Sequence, residues 1–299
     1  MKALYDLSAP AKVNLFLHVV GRRPDGYHLL QSVFVLIDWA DTLHIERRDD
    51  PALCRHDLGD ALPADDLCLR AARALQRASG TTLGADVHIE KRVPTGAGLG
   101  GGSSDAATTL LALNRLWDLH WPLDRLSALG ITLGADVPFF LHGRHAFIEG
   151  IGERITAIEL PGMWLAVVKP ATSLATATVF GSPLLERSTP PVILEDFLAD
   201  TTLSDCAHEG FGRNDLQAVA QRECTEVGQV AQWLRERFGN SRMSGSGSAV
   251  FARAGTGDRP LATWDSRDLP PHWIGRMCRS LSVHPLLHWS GWDDCSGRR

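Results

Sequence analysis

A glycine-rich stretch at residues 94–104 constrains the fold more than any other segment of the chain. It reads P-T-G-A-G-L-G-G-G-S-S, so five of its eleven residues are glycine. Residues 87–93 before it alternate like a β-strand, and residues 105–117 after it are mostly good helix formers. Glycines let backbone N–H groups turn toward a ligand, and a helix start adds unpaired N–H groups and a positive dipole end. This order of strand, glycine loop and helix predicts a phosphate-binding loop.

Two common phosphate-binding motifs do not match this stretch. No Gly-Lys-[Ser/Thr] ends the loop, which excludes a Walker A motif. The strand before it comes late in the chain, and no acidic residue ends a strand about 20 residues further on, which excludes a Rossmann fingerprint. We predict contact with phosphate along the whole loop, which comprises Pro94, Thr95, Gly96, Ala97, Gly98, Leu99, Gly100, Gly101, Gly102, Ser103 and Ser104.

The end of the loop leaves two interpretations open. Ser103 and Ser104 could cap the following helix, or they could offer hydroxyl groups to phosphate or to a metal ion. Asp105 falls in the first turn of the predicted helix, where a carboxylate stabilises the helix dipole, and it could also lie near a metal ion.

Composition and charge exclude several classes of protein. The 299 residues, 44% hydrophobic and 22% charged, are ordinary for a globular protein of about two domains. A net charge of −5 without a basic run argues against a nucleic-acid partner. No apolar stretch reaches the ~20 residues that span a bilayer, and the N-terminus lacks a signal-peptide core. Six scattered cysteines without a C-x-x-C pair argue against a disulfide framework. From these features together we expect a cytoplasmic protein without a membrane partner.

Strand and helix patterns alternate without strict βαβ order. Residues 12–19 have a period of two, which predicts a strand with Lys12 and Asn14 on one face. A helix capped by Asp65 or Asp66 and ending near Gly80 is also predicted, as is a helix at residues 214–238. Further strands are predicted at residues 33–37, 42–45 and 164–168. The mixture predicts an α+β fold. We place an N-terminal domain at residues 1–160, a C-terminal domain at residues 161–285 and a flexible tail at residues 286–299.

Three segments in order resemble the signature motifs of the GHMP small-molecule kinases. They are A-K-V-N-L at residues 11–15, the glycine loop, and S-G-S-G-S at residues 244–248. The resemblance extends from about residue 8 to residue 251 and fades in the Trp-rich tail. Further segments are similar to the branch whose acceptor alcohol carries a cytidine diphosphate group, namely P-A-K-V-N-L-F-L, R-x-D-G-Y-H, L-G-A-D-V-P-F-F and N-D-L.

This resemblance implies a two-domain fold and a kinase activity. The N-terminal domain would be of the ribosomal protein S5 domain 2 type and the C-terminal domain ferredoxin-like, with the active site between them. The chain would use ATP and Mg²⁺ to phosphorylate the C2 hydroxyl of a cytidine diphosphate-linked methylerythritol, in the non-mevalonate route to isoprenoid precursors. We expect a monomer or weak homodimer. The resemblance assigns no side chain to the metal ion.

The resemblance also assigns roles to residues outside the loop. The catalytic pair falls on Lys12 and Asp136, and Tyr27 stacks on the cytosine. His28 reads the cytosine edge through its side chain or its backbone, and Phe180 of the second domain completes the sandwich. Asp136 would accept the proton of the attacking alcohol, and Lys12 would orient it and neutralise developing charge.

Asn14, on the same strand face as Lys12, would bind the substrate or Asp136. Without the resemblance, Lys12 is typical of a solvated strand edge and Asp136 of a turn or helix start. Tyr27 would be an ordinary loop aromatic and Phe180 a core residue.

Two rival functions stay open at this point. Another GHMP kinase, acting on homoserine or a mevalonate, would not need a base-stacking platform, so Gly26, Tyr27 and His28 discriminate against it. A nucleotide-binding sensor that has lost catalysis would not need both Lys12 and Asp136.

Overall fold

The protein is built on two β-sheets, described here from a computed structural model that covers residues 1–200 and 209–289. The first sheet has six strands: β1 (Ala3–Arg22), β2 (His28–Arg48), β3 (Leu53–Asp57), β4 (Gly84–Glu90), β5 (Ala146–Gly150) and β6 (Arg154–Ala157). β1 and β2 form a long antiparallel hairpin, and β2 also pairs with β4 through residues 42–48 and with β5 through residues 30–34. β3 runs parallel to β4.

Four helices cover one face of this sheet: α1 (Leu67–Ser79), α2 (Gly101–Leu116), α3 (Leu123–Gly130) and α4 (Val137–His142). α1 has the predicted bounds, since the Asp66 side chain accepts a hydrogen bond from Leu69 N (3.1 Å) and Gly80 closes the helix with φ 70°. α2 is buried along most of its length, and its alanines and leucines fill the space over β1 and β2.

The second sheet has four antiparallel strands, β7 (Trp164–Lys169), β8 (Arg242–Met243), β9 (Val250–Arg253) and β10 (Ile274–Arg279). Their spatial order is β10-β7-β9-β8, the order of a ferredoxin-like sheet. Between β7 and β8, the described residues 170–200 and 209–241 contain four helices: α5 (Thr176–Gly181), α6 (Leu194–Ala199), α7 (Gln217–Glu223) and α8 (Thr225–Phe238). The single helix predicted at residues 214–238 is wrong, because extended backbone at Cys224 (φ −144°) separates α7 from α8.

The two sheets share a core formed by β1, β2, β7 and β9. Val13, Phe16 and Val35 of the first sheet pack in one buried cluster with Val167 and Phe251 of the second. β1 is therefore covered on both faces, which explains why the polar side chains of its predicted polar face are also buried.

The chain returns to the first sheet after β10. Leu281 N donates to Leu36 O (2.9 Å), Leu286 packs into the first core, and a short 3-10 helix covers Leu287–Trp289. Residues 290–299 of the predicted tail lie outside the described residues, so their flexibility stays a prediction. Within residues 1–200 and 209–289, no helix is long and apolar enough to cross a membrane.

Candidate active site

The three kinase-like motifs meet at a cleft of about 910 Å³ between the two sheets. Its lining combines residues from β1, the turn after β1, the glycine loop, the start of α4, α5 and the serine turn after β8. Among them are Lys12, Asn14, Tyr27, His28, Gly98, Asp136, Phe180 and Gly245.

The carbonyl groups of the glycine loop hold the loop in place. Leu99 O accepts from Lys12 N (2.9 Å), and Gly98 O accepts from Ser244 Oγ (3.0 Å). Two further loop carbonyls accept backbone N–H groups from residues 248–249. These hydrogen bonds anchor the glycine loop to the motif at residues 11–15 and to the serine turn that begins at residue 244.

Two glycines of the loop are required by its backbone and by close packing. Gly98 has φ 73°, and a Cβ there would lie 2.2 Å from Ser244 O. Gly100 has φ 72°, and its Cβ would lie 3.0 Å from the Phe140 ring. A side chain at either position would therefore be strained and would displace its neighbour.

A second cavity of about 490 Å³ lies on the other side of the loop. Its lining includes Leu62, Leu67, Lys91, Thr95 and Ser103, and Gly96, Gly98 and Gly100 line both cavities. The loop thus separates two spaces, and an extended ligand that crosses it would contact both.

Helix α2 begins inside the glycine loop, earlier than the helix predicted from Asp105. Its N-cap is Gly100, and Ser104 N makes the first helical hydrogen bond to Gly100 O (3.0 Å). The N–H groups of Gly101, Gly102 and Ser103 precede that bond and are free for an anion.

This early start overturns two expectations about the end of the loop. Ser103 and Ser104 do not cap the helix, because Gly100 occupies the N-cap position without a side-chain hydrogen bond. Ser103 lines the smaller cavity, whereas Ser104 is completely buried and lines neither. Asp105 lies beyond the first turn, where it is buried and accepts a hydrogen bond from Lys91 Nζ (2.6 Å).

A cluster of three charged residues, the half-buried Lys91 and the buried Asp41 and Asp105, anchors both ends of the loop. Lys91 bridges the two carboxylates, and Asp41 Oδ1 also accepts from Arg92 N (2.6 Å) and Val93 N (2.8 Å). Burial, together with the neighbouring Asp41 carboxylate, raises the pKa of Asp105. Burial alone would lower the pKa of Lys91, but the two carboxylates overcome this effect and raise it. Sequence reasoning missed the cluster, because its members come from three separate segments.

Lys12 and Asp136 lie together in the cleft. Lys12 Nζ is 3.5 Å from Asp136 Oδ2 and donates to Asn14 Oδ1 (2.7 Å). The Lys12 side chain is only 4% exposed, so the solvated-lysine interpretation is wrong. Asp136 occupies the N-cap position of α4 without a side-chain hydrogen bond to the helix, and its side chain is 30% exposed.

The Asn14 side chain holds Lys12 and makes no hydrogen bond to Asp136. Its Oδ1 accepts from Lys12 and from Ser244 Oγ (3.3 Å), and its Nδ2 donates to Ser32 Oγ (2.9 Å). The prediction that Asn14 lies on the Lys12 face is confirmed by this contact.

Aromatic side chains from the turn after β1, from β2 and from α5 also line the cleft. Tyr27 is 62% exposed, while the rings of His28 and Phe180 lie 5.2 Å apart at 36°. Phe180, on α5, also packs against the core of the second sheet, so its core and cleft interpretations both hold. Arg187 Nε donates to His28 Nε2 (3.1 Å), a contact that sequence reasoning missed.

Comparison of the sequence with known proteins also indicates a kinase. The family models for the GHMP kinases N terminal domain and GHMP kinases C terminal match residues 66–144 and 201–263. A 4-diphosphocytidyl-2-C-methyl-D-erythritol kinase from Methylibium petroleiphilum is 63% identical, covering 97% of this chain and 99% of the relative.

The chain belongs to the GHMP kinase family. A second relative with the same name, from Paracidovorax citrulli, is 53% identical over 98% of this chain and 100% of its own length. The crystal structure of a 4-(cytidine 5'-diphospho)-2C-methyl-D-erythritol kinase superposes with a TM-score of 0.73 and 35% identity, covering 92% of this chain and 99% of the other. The predicted two-domain α+β fold is confirmed, and this GHMP kinase is a small-molecule kinase with ATP as its phosphate donor.

Proposed function

We propose that this GHMP kinase transfers the γ-phosphoryl group of ATP to the C2 hydroxyl of 4-diphosphocytidyl-2-C-methyl-D-erythritol, in the non-mevalonate pathway to isoprenoid precursors. The products are ADP and the 2-phosphate. One observation carries the proposal: a single cleft joins the Lys12–Asp136 pair and the glycine loop to an aromatic end formed by Tyr27, His28 and Phe180. A substrate with a reactive alcohol at one end and a pyrimidine at the other fits that arrangement.

The glycine loop holds the ATP phosphates in this proposal. Its carbonyls are engaged with the protein, and the N–H groups at the start of α2 are available to phosphate oxygens. The adenosine occupies the smaller cavity near Lys91, and the γ-phosphoryl group crosses the loop toward Lys12.

Asp136 acts as general base and Lys12 as the group that fixes it. The carboxylate is part-exposed in the cleft, so it can reach the attacking C2 hydroxyl, accept its proton and leave the oxygen free to attack phosphorus. Lys12, buried and held by Asn14, neutralises charge that develops on the transferred group.

Mg²⁺ fits this site as an ion carried by ATP. The ion commonly takes its ligands from substrate phosphates, water and one or two protein oxygens. Within residues 1–200 and 209–289, no three His, Cys, Asp or Glu side chains converge to hold a metal, which suits an ion bound chiefly through phosphate. The Ser103 hydroxyl, at the start of α2, is our candidate protein ligand. When bound, the ion neutralises phosphate charge.

The cytosine lies at the aromatic end. Tyr27 is free to stack on a base, and Phe180 provides a second surface beside His28. Base–aromatic stacking contributes about 1–3 kcal/mol per base. A homoserine or mevalonate acceptor would leave these rings unused, and a sensor without catalysis would not need the Lys12–Asp136 pair.

We also propose a cytoplasmic enzyme that works as a monomer or weak homodimer without nucleic-acid or membrane partners. The free state of Cys54, Cys68, Cys224 and Cys278 supports a reducing compartment.

An acceptor assay tests the function. The purified enzyme is given ATP and Mg²⁺ with 4-diphosphocytidyl-2-C-methyl-D-erythritol, homoserine or mevalonate, and ADP formation is measured. We expect kcat/KM for the cytidine-containing acceptor to exceed the other two at least about 1,000-fold, since their alcohols lack the stacking anchor. Equal or faster turnover of homoserine or mevalonate would overturn the assignment.

A further inference from the structure

Arg187 lies outside the cleft lining but directly behind two residues that line it. Its guanidinium donates to His28 Nε2 (Nε, 3.1 Å) and to the carbonyl oxygens of Phe180 (Nη2, 3.3 Å), Ser182 (Nη2, 2.6 Å) and Leu185 (Nη1, 3.1 Å). One side chain therefore ties the end of α5 and the segment after it to His28, the first residue of β2.

The contact with Arg187 decides which nitrogen of His28 carries the proton. A guanidinium can only donate, so the Nε2 atom that faces it must accept. Burial, followed by the charges of Arg187 and Arg22, lowers the pKa of His28, so the ring is neutral near pH 7. A neutral imidazole whose Nε2 accepts carries its proton on Nδ1. His28 lines the cleft, so Nδ1–H is the ring donor that it can offer to a base bound there.

We propose that Arg187 is a positioning residue that holds His28 as an Nδ1–H donor and thereby makes the cleft select a cytosine over a uracil. This inference rests on the proposed function and deepens it by naming what discriminates between acceptor bases. Arg187 touches neither the base nor the reacting atoms. It acts through the His28 ring and through the backbone that carries Phe180.

The selection follows from the two pyrimidine edges. Cytosine N3 is an acceptor that matches an N–H donor, whereas uracil N3 carries a hydrogen and would leave two donors facing each other. A site whose donor faces another donor rejects the ligand, because both polar groups are then left unpaired.

The first test measures the His28 proton without substrate. The ¹⁵N NMR shifts of the His28 ring are recorded near pH 7.5 in the wild type, Arg187→Gln and Arg187→Lys, with His28→Gln to assign the signal. We expect the Nδ1-protonated tautomer in the wild type and a substantial population of the Nε2-protonated form in both variants. Arg187→Lys keeps the positive charge but lacks the planar set of N–H donors of a guanidinium, so it distinguishes an effect of charge from an effect of hydrogen-bond geometry. An Nε2-protonated wild type, or unchanged shifts in both variants, would contradict the proposal.

The second test measures base selection. Steady-state kinetics compare the cytidine diphosphate-linked acceptor with its uridine diphosphate counterpart. In Arg187→Gln we expect KM for the cytidine acceptor to rise about 10-fold, and the cytidine-to-uridine ratio of kcat/KM to fall about 10-fold. The kcat value and KM for ATP should stay within about twofold.

The exposed Arg222, on α7, provides the matched control as Arg222→Gln and should leave every constant unchanged. An equal loss of kcat/KM for both acceptors, or a parallel loss of ATP binding, would show that Arg187 has only a structural role and would contradict the proposal. If the wild type used neither acceptor, the proposed function and the base selection would both fall. The NMR measurement would still decide whether Arg187 sets the His28 tautomer.

Discussion

Lys12 is a buried amine whose surroundings leave it few orientations. Burying a charged group is costly unless it is paired and hydrogen-bonded. Asn14 Oδ1, the Asp136 carboxylate and the face of the Phe34 ring, 4.4 Å from Nζ, provide that pairing. The ammonium group is thus held next to the glycine loop before any ligand binds, which is the preorganisation that phosphoryl transfer requires.

Removing the Oδ1 acceptor of Asn14 should make the Lys12 side chain more mobile while ATP binding is retained. In Asn14→Leu we expect kcat to fall about 10- to 100-fold, because Lys12 loses one of its two polar partners. The dissociation constant for ATP, measured by calorimetry, should change less than about threefold. Asn114→Leu, which removes a similarly buried amide bonded to Trp121 away from the cleft, is the control and should lower stability but not kcat. Equal kcat losses in both variants would remove Asn14 from the site.

Residue-level prediction succeeded where strand periodicity or a motif carried the information. The period of two placed Lys12 and Asn14 on one face, and the family resemblance paired Lys12 with Asp136 across the chain. Arg187 could not be predicted, because its contact with His28 joins residues 159 positions apart, and Arg187 itself lies in an irregular segment after α5. The same holds for the bridge from Lys91 to Asp41, since no local pattern brings those segments together.

At the scale of elements, the glycine loop and the serine turn interlock. The loop receives hydrogen bonds from residues 244–249, and Gly98 allows the Ser244 carbonyl to approach without a Cβ between them. The turn itself is held by Asn214, whose Nδ2 donates to Met243 O (2.7 Å) and Gly245 O (2.8 Å). The position of the loop therefore depends on the second sheet.

A methyl group at Gly98 should disturb this contact. The Cβ of Gly98→Ala would lie 2.2 Å from Ser244 O at a backbone φ of 73°. We expect a loss of ATP affinity of at least about 10-fold, with destabilisation of about 1–3 kcal/mol in urea unfolding. Gly162→Ala, with nothing within 4 Å of its Cβ, is the control and should behave as wild type. Unchanged ATP affinity in Gly98→Ala would contradict the assignment of the loop.

The ends of helices could be predicted from the sequence only where neighbouring residues form the cap. Asp66 and Gly80 marked both ends of α1, because a cap depends on neighbouring residues. The start of α2 was missed, because glycines disfavour a helix and tertiary hydrogen bonds to the loop override that preference. The predicted strands near residues 33–37 and 42–45 are one strand, since β1 pairs along nearly its full length.

At the scale of the whole molecule, two buried histidines lie where the chain returns to the first sheet. His145 Nδ1 accepts from Leu36 N (3.2 Å), and His284 Nδ1 accepts from Leu286 N (3.0 Å). Burial lowers the pKa of His145 to about 4 and that of His284 to about 4. Both rings are therefore neutral in the folded protein at pH 7.

These histidines should make the protein less stable in mild acid. Their pKa is lowered on folding, so the unfolded chain binds protons more readily, and stability falls as pH drops from about 6.5 toward 4. We expect each to contribute a loss of about 2 kcal/mol at pH near 5, measured by urea unfolding. The double variant His145→Leu/His284→Leu should show a much weaker dependence between pH 7 and 5. An equally steep dependence in that variant would rule out these two groups as its source.

The central claim is that Lys12 and Asp136 form the reaction centre of a kinase whose nucleotide lies on the glycine loop. The most direct test measures single-turnover phosphorylation of 4-diphosphocytidyl-2-C-methyl-D-erythritol and ATP affinity in Asp136→Asn, which keeps the size of the side chain but removes its basicity. We predict a rate at least about 1,000-fold below wild type, with the ATP dissociation constant within about threefold. A near-wild-type rate in Asp136→Asn would contradict the account.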